Sequence, residues 1–251
     1  MGKPRLLLVP EFTDLSWTIR PRLEEWAEVA SYDPPGVGEE PLPKGASAVT
    51  PGLIAQLPEL TVQRGLEELD RAGWERFFVV GDGFAVASAI RIAEERLDSI
   101  EGLALGHARL SNRRDGERAP ISGAVWEGLT QLLRQDHEAF IRYGIAQATG
   151  GSLGAQLAEQ MLGRFPKELI VPGWEAMTAE DDAFAERLGA LSVPLLFAKH
   201  EGCLMCTDEG FEDAAAASPN ARTVAVADAP TVSEDFAEAV REFCQDVQAG
   251  D

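Results

Sequence analysis

Four polar residues stand where chemistry could be done. Glu11, Asp82, His107 and Glu201 each lie at or just beyond the end of a short apolar run, the runs beginning at Leu6, Phe77, Leu103 and Val193. Runs of this length read as buried strands, and in an open parallel sheet ligands bind in the crevice outside the C-terminal strand ends. Residues far apart in sequence meet there. His107 with Glu11 or Glu201 would supply general acid–base chemistry without a covalent intermediate. His107 with two carboxylates would instead suit a metal ion. The plainest alternative makes His107 a satisfied polar residue at a strand end and Glu11 a solvated loop carboxylate. The residues alone leave these three readings open.

Other groups are weaker candidates. Cys203-Leu-Met-Cys206 has CxxC spacing, but a structural zinc site needs a second ligand pair and a thioredoxin-like motif opens a helix early in the fold. Neither feature is present, so the pair reads as incidental and no metal or other cofactor is expected. With Cys244 the cysteines number three, which cannot all pair within one chain and argues against a disulfide scaffold. His137, in Gln135-Asp-His-Glu-Ala-Phe140, reads as exposed or bonded to a neighbour. His200 adjoins Glu201, and strand alternation points successive side chains apart. Gly150-Gly-Ser-Leu-Gly154 has no strand before it and reads as a hinge, while Gly36 and Gly38 serve a turn.

The elements that must position these residues follow a regular order. Strands are expected over Arg5–Val9, Val29–Tyr32, Arg76–Val80, Leu103–His107, Val193–Ala198 and Arg222–Ala227, with helical periods between most of them. Between Ile121 and Met177 the periods are only helical, including Val125–Tyr143 and Gln156–Phe165. Alternating strands and helices give an α/β class: a mostly parallel, doubly wound sheet carrying a helical insertion.

Composition bounds the partners. The 251 residues carry 22 basic and 42 acidic side chains, a formal charge of −20, which weighs against nucleic acid or anionic membrane. At 45% hydrophobic and 25% charged residues the chain can bury a sizeable core. No apolar run approaches the roughly 20 residues that span a bilayer, and the N-terminus lacks a secretory pattern, so a cytoplasmic protein is expected.

At four anchors the sequence resembles the α/β-hydrolase superfamily, in its small capped branch. These are the strand ending in Pro10-Glu11-Phe12, the loop Asp33-Pro-Pro-Gly-Val-Gly38, the elbow Gly81-Asp-Gly-Phe-Ala85 and the strand ending in Lys199-His200-Glu201. The resemblance implies a hydrolase-type core over residues 1–110 and 179–251, with a helical cap over 111–178.

It also implies a site, and there this chain departs from the pattern. The family's elbow is small-x-nucleophile-x-small, which puts Gly81 and Ala85 at the small positions and Gly83 at the nucleophile. Taking Asp82 as nucleophile would place Val80 and Phe84 where small residues are required. Glu201 falls at the family's acid. The loop that carries its histidine, Ala227 to Asp235, holds none, and Thr231 aligns with the base. The usual His-Gly of the oxyanion hole is replaced by Pro10-Glu11, although backbone N–H groups of Phe12 and Phe84 could still form the hole. The triad is degenerate, so a conventional serine hydrolase is not expected.

The favoured reading is therefore a hydrolase-like pseudoenzyme that binds, or transforms without an acyl-enzyme, a small apolar molecule beneath the cap. Phe12, Asp82, Gly83, Phe84 and Trp126 would line that pocket, with Trp126, Leu129, Leu133 and Phe140 giving the cap an apolar face. An active hydrolase or lyase with a displaced acid–base pair is the first alternative. A protein-interaction module docking through its cap is the second. A homo-oligomer is compatible with each.

Overall fold

Short strand-length runs rich in Leu, Val, Phe and Ala form one six-stranded parallel sheet in the computed structural model of the protein. The structure describes residues 2–10, 16–38, 41–42, 50–109, 111, 119, 121–148, 154–164, 167–177, 184–201, 203, 206–218 and 220–250. In chain order these hold β1 (Arg5–Val9), α1 (Ser16–Glu24), β2 (Glu28–Ser31), α2 (Pro51–Ala72), β3 (Phe77–Asp82), α3 (Ala85–Glu95) and β4 (Ile100–Gly106). Next come α4 (Gly123–Gln135), α5 (His137–Ala148), α6 (Gly154–Arg164), α7 (Lys167–Met177), α8 (Phe184–Ala190) and β5 (Leu195–His200). The chain closes with α9 (Asp208–Ala217), β6 (Ala221–Val226) and α10 (Glu234–Gly250).

The strand order is β2-β1-β3-β4-β5-β6, and every neighbouring pair is parallel. Alternation along each central strand feeds two cores. Leu7, Val9, Phe77 and Val79 face α3, with Ile90 and Leu188 in the same cluster. Leu6, Leu8, Phe78 and Val80 face the opposite side, with Ile19, Leu23, Phe236 and Phe243. Such doubly covered strands explain why the runs lack a polar alternate residue.

Caps set the helix limits. Thr50 accepts a hydrogen bond from the Leu53 N–H at 3.2 Å and Pro51 follows, so α2 starts well before the apolar period beginning at Thr61. Pro58 inside it disguises the first half. The single helix expected over Val125–Tyr143 is instead two, because Asp136 ends α4 and its Oδ1 accepts from the Ala139 N–H at 2.9 Å. Two helices absent from the hydrophobic pattern, α8 and α9, cover the sheet near β5.

Helices α4 to α7 share a third apolar cluster with Leu53, Ile54 and Leu57 of α2 and with Val37. Trp126 and Trp174 stack at its centre with ring centroids 4.1 Å apart. The Asp33–Gly38 loop docks this insertion, since Asp33 pairs with Arg164 and the Gly38 N–H donates to the Arg164 carbonyl at 3.0 Å. Among the described residues no helix is long and apolar enough to cross a membrane.

Gly102 of β4 shows how close the layers are. A Cβ there would lie 2.8 Å from the Phe243 ring and 3.0 Å from the Pro194 carbonyl oxygen. Gly102→Ala should therefore cost about 1–3 kcal/mol through overpacking, although Gly is a poor strand residue. Urea unfolding should show a lower midpoint at unchanged slope; an unaltered midpoint would contradict this packing.

Candidate functional site

Parallel register aligns the ends of three central strands. Asp82 pairs with Gly106 across β3 and β4, and Gly106 pairs with Ala198 across β4 and β5. The first residues beyond these pairs are thereby stacked side by side at one edge of the sheet. His107 leaves β4 with φ +50, uncommon for a residue with a Cβ, while its N–H donates to the Ala198 carbonyl at 2.7 Å. That turn places the imidazole between two neighbouring strands. Its Nδ1 lies 2.7 Å from Asp82 Oδ1, and its Nε2 lies 2.9 Å from His200 Nδ1.

The electrostatics follow from burial and neighbours. Burial pushes the His107 imidazole down, but the Asp82 carboxylate and the Cys203 sulfur outweigh it and raise it to about 10. His200 moves the other way, to about 4, through burial and the adjacent His107 charge. His107 thus donates from both nitrogens, and neutral His200 accepts at Nδ1. An imidazole so held is an acid or a fixed positive charge rather than a base.

Cys203 completes the cluster: its sulfur and one ring nitrogen of each histidine all lie within 4.8 Å of one another. The CxxC spacing, read from the sequence as incidental, thus places one thiol against two imidazoles. Its other cysteine is different. Cys206 is buried, its Sγ lies 3.8 Å from the Ala108 carbonyl, and burial pushes its thiol up to about 12. None of the three cysteines is disulfide-linked.

Arg109 is a further residue that sequence reasoning missed. Only 1% exposed, it donates to the Gly83 carbonyl at 3.1 Å and lies 4.6 Å from the centroid of the Phe84 ring. It holds both sides of the elbow. Gly83 itself has φ +58, and a Cβ there would meet nothing within 4 Å. Phe84 turns its ring edge-on to Trp126 and Trp174, at centroid distances of 5.6 and 5.9 Å, so the elbow touches the helical insertion directly.

The other expected site residues are placed as follows. Glu201 is exposed in the turn after β5, and both ring nitrogens of His107 are engaged by other residues. The expected His107–Glu201 pair is therefore replaced by His107–Asp82, because the register puts Asp82 beside β4. Thr231 is buried in the turn after β6, and its carbonyl accepts from Thr18 Oγ1 at 2.6 Å. Trp126 is buried. His137 is half-buried, with an Nε2 that has no hydrogen-bond partner among the described residues. Glu11, Phe12 and the Gly150–Gly151 joint lie outside the described residues.

No protein-family model matches the sequence, and no curated protein matches it. Solved structures match in shape. A hydrolase from Oleispira antarctica gives a TM-score of 0.77 at 16% identity, over 98% of this chain and 92% of that one. A bromoperoxidase from Bacillus anthracis gives 0.74 at 18% identity, over 98% and 92%. A thermophilic esterase from Thermogutta terrifontis gives 0.70 at 22% identity, over 98% and 91%. Identities this low speak to architecture, and the architecture is the α/β-hydrolase fold.

The strand-end geometry has a direct test at Gly106. A Cβ there would overlap the Asp82 carboxylate and lie 2.8 Å from Pro230 Cβ. Gly106→Ala should displace Asp82 and remove the hydrogen-bonded Nδ1–H resonance of His107 from the proton NMR spectrum, with about 1–3 kcal/mol of lost stability. Retention of that resonance in a folded variant would show that the pair does not depend on the glycine.

Proposed function

We propose that the chain uses the hydrolase fold to bind, or to transform without an acyl-enzyme, a small and largely apolar molecule between the elbow and the helices α4 to α7. One observation carries the reading: the residue at the elbow is Gly83, with space around it and no side chain to attack a carbonyl. Acyl transfer needs a nucleophile and a base to deliver its proton, and the turn after β6 offers Thr231 instead of an imidazole. The aromatic group of Phe84, Trp126, Phe140 and Trp174 supports an apolar ligand, because it gives the insertion a ring-lined face against the elbow.

A second reading, turnover by a displaced acid–base pair, draws on the Asp82–His107–His200 chain. In it His107 would donate a proton to a leaving group or stabilise a developing anion, with Asp82 fixing its orientation. The interaction-module reading has less support. Among the described residues the large apolar side chains that are exposed are Leu97 and Tyr143, well below what a docking patch would need.

The purified protein should not react with a fluorophosphonate probe and should not hydrolyse p-nitrophenyl esters. Gly83→Ser should fold with a loss of about 1–2 kcal/mol, the cost of a Cβ in left-handed backbone. Its esterase rate should stay about three or more orders of magnitude below that of an intact triad, since one missing member is nearly as costly as several. Efficient hydrolysis by this variant would mean that a working base is present. A panel of aromatic and aliphatic esters and acids should include compounds that slow hydrogen exchange in α4 and α7. If no compound does so, the binding reading fails.

A further inference from the structure

We infer that His107, His200 and Cys203 form a binding site for a transition-metal ion of the zinc class at the tips of β4 and β5, with Asp82 as the outer carboxylate that fixes the His107 ring. The inference goes beyond the proposed function and holds whatever molecule binds beneath the insertion. Three observations support it. The donors are two imidazoles and a thiol, a set that suits zinc, cobalt or nickel and not the oxygen-seeking magnesium or calcium.

The spacing also fits. Ligand atoms bonded to one tetrahedral ion at 2.0–2.3 Å are about 3.3–3.6 Å apart. Here the three donor atoms all fall within 4.8 Å of each other, and the two imidazole nitrogens are 2.9 Å apart across a hydrogen bond. Replacing that bridging proton with a cation needs only small side-chain movements.

The outer contacts point the same way. A metal-bound imidazole usually gives its other N–H to a carboxylate, and His107 Nδ1 meets Asp82 Oδ1 at 2.7 Å. The Cys206 N–H donates to Cys203 Sγ at 3.3 Å, which orients that sulfur, while the Cys206 sulfur turns away towards backbone carbonyls. One thiol of the CxxC pair is thus joined by an imidazole from each of two strand ends. Three protein ligands leave a fourth position for water or for an oxygen of a small molecule, the arrangement of open rather than structural sites. Arg109 is the opposing feature. Its charge is engaged on the Gly83 carbonyl and the Phe84 ring.

The test uses the metal alone on the full chain. Protein freed of metal by a chelator and kept reduced is titrated with Co²⁺, then with Zn²⁺ in competition with a chromophoric chelator. One ion per chain is expected, with a thiolate-to-cobalt charge-transfer band and tetrahedral d–d bands that Zn²⁺ abolishes. Cys203→Ser should remove the charge-transfer band, and His200→Ala should weaken binding by about a hundredfold or more. Asp82→Asn should weaken it about 10–100-fold, the usual effect of losing an outer partner. Cys206→Ser should retain stoichiometry and spectrum. Circular dichroism checks each fold; should His200→Ala unfold, half-exposed Cys203 still provides a mild variant. Absence of a thiolate band in the wild type, its survival in Cys203→Ser, or its loss in Cys206→Ser alone would overturn the site.

Discussion

In-register parallel pairing of β3, β4 and β5 is the constraint on which the rest of the site depends. The Gly83 N–H reaches the Gly106 carbonyl at 3.1 Å and the His107 N–H reaches that of Ala198 at 2.7 Å, so the ladder continues past the last strand residues. Side chains on successive tips then stand beside one another at the same height. A slip of one residue in any strand would turn its polar tip to the opposite face. The apolar runs prevent that slip, because each also divides its residues between two cores.

Holding Asp82, His107 and Arg109 inside such a fold is expensive in solvation energy. The cost is offset by geometry: Asp82 against a ring nitrogen, His107 between two acceptors, Arg109 on a carbonyl and an aromatic face. Buried charge of this kind adds little net stability compared with an apolar core of equal volume. Its presence at the sheet edge, beside the Gly83 turn, argues for a chemical role. The fold gives the location, and the side chains give the chemistry.

Much of this was legible in the sequence. The sheet, the elbow at Gly81–Ala85 and the helical insertion followed from apolar run length and small residues at a turn. The helix break at Asp136 was hidden because a capping Asp and a solvated helical Asp look alike without coordinates. The partners of His107 were hidden for another reason. Asp82 closes β3, while His200 and Cys203 lie together at the end of β5, and only strand order brings the two segments to His107. Two histidines at the ends of consecutive apolar runs were the available signal. Arg109 gave no signal at all, since an arginine after a strand is usually solvated.

The stacked indoles of Trp126 and Trp174 have an optical consequence. Their rings are 4.1 Å apart and tilted by only 6°, and the Trp174 Nε1–H donates to Thr130 Oγ1 at 2.8 Å, which fixes the pair in orientation. Two chromophores this close and this well held share their electronic excitation. Far-ultraviolet circular dichroism, where the intense indole band absorbs, should therefore contain an exciton couplet from the insertion, and the fluorescence of the pair should depend on their separation. Phe84 touches both rings, so a shift at the elbow would perturb the couplet. The protein carries a label-free reporter of events at its own sheet edge.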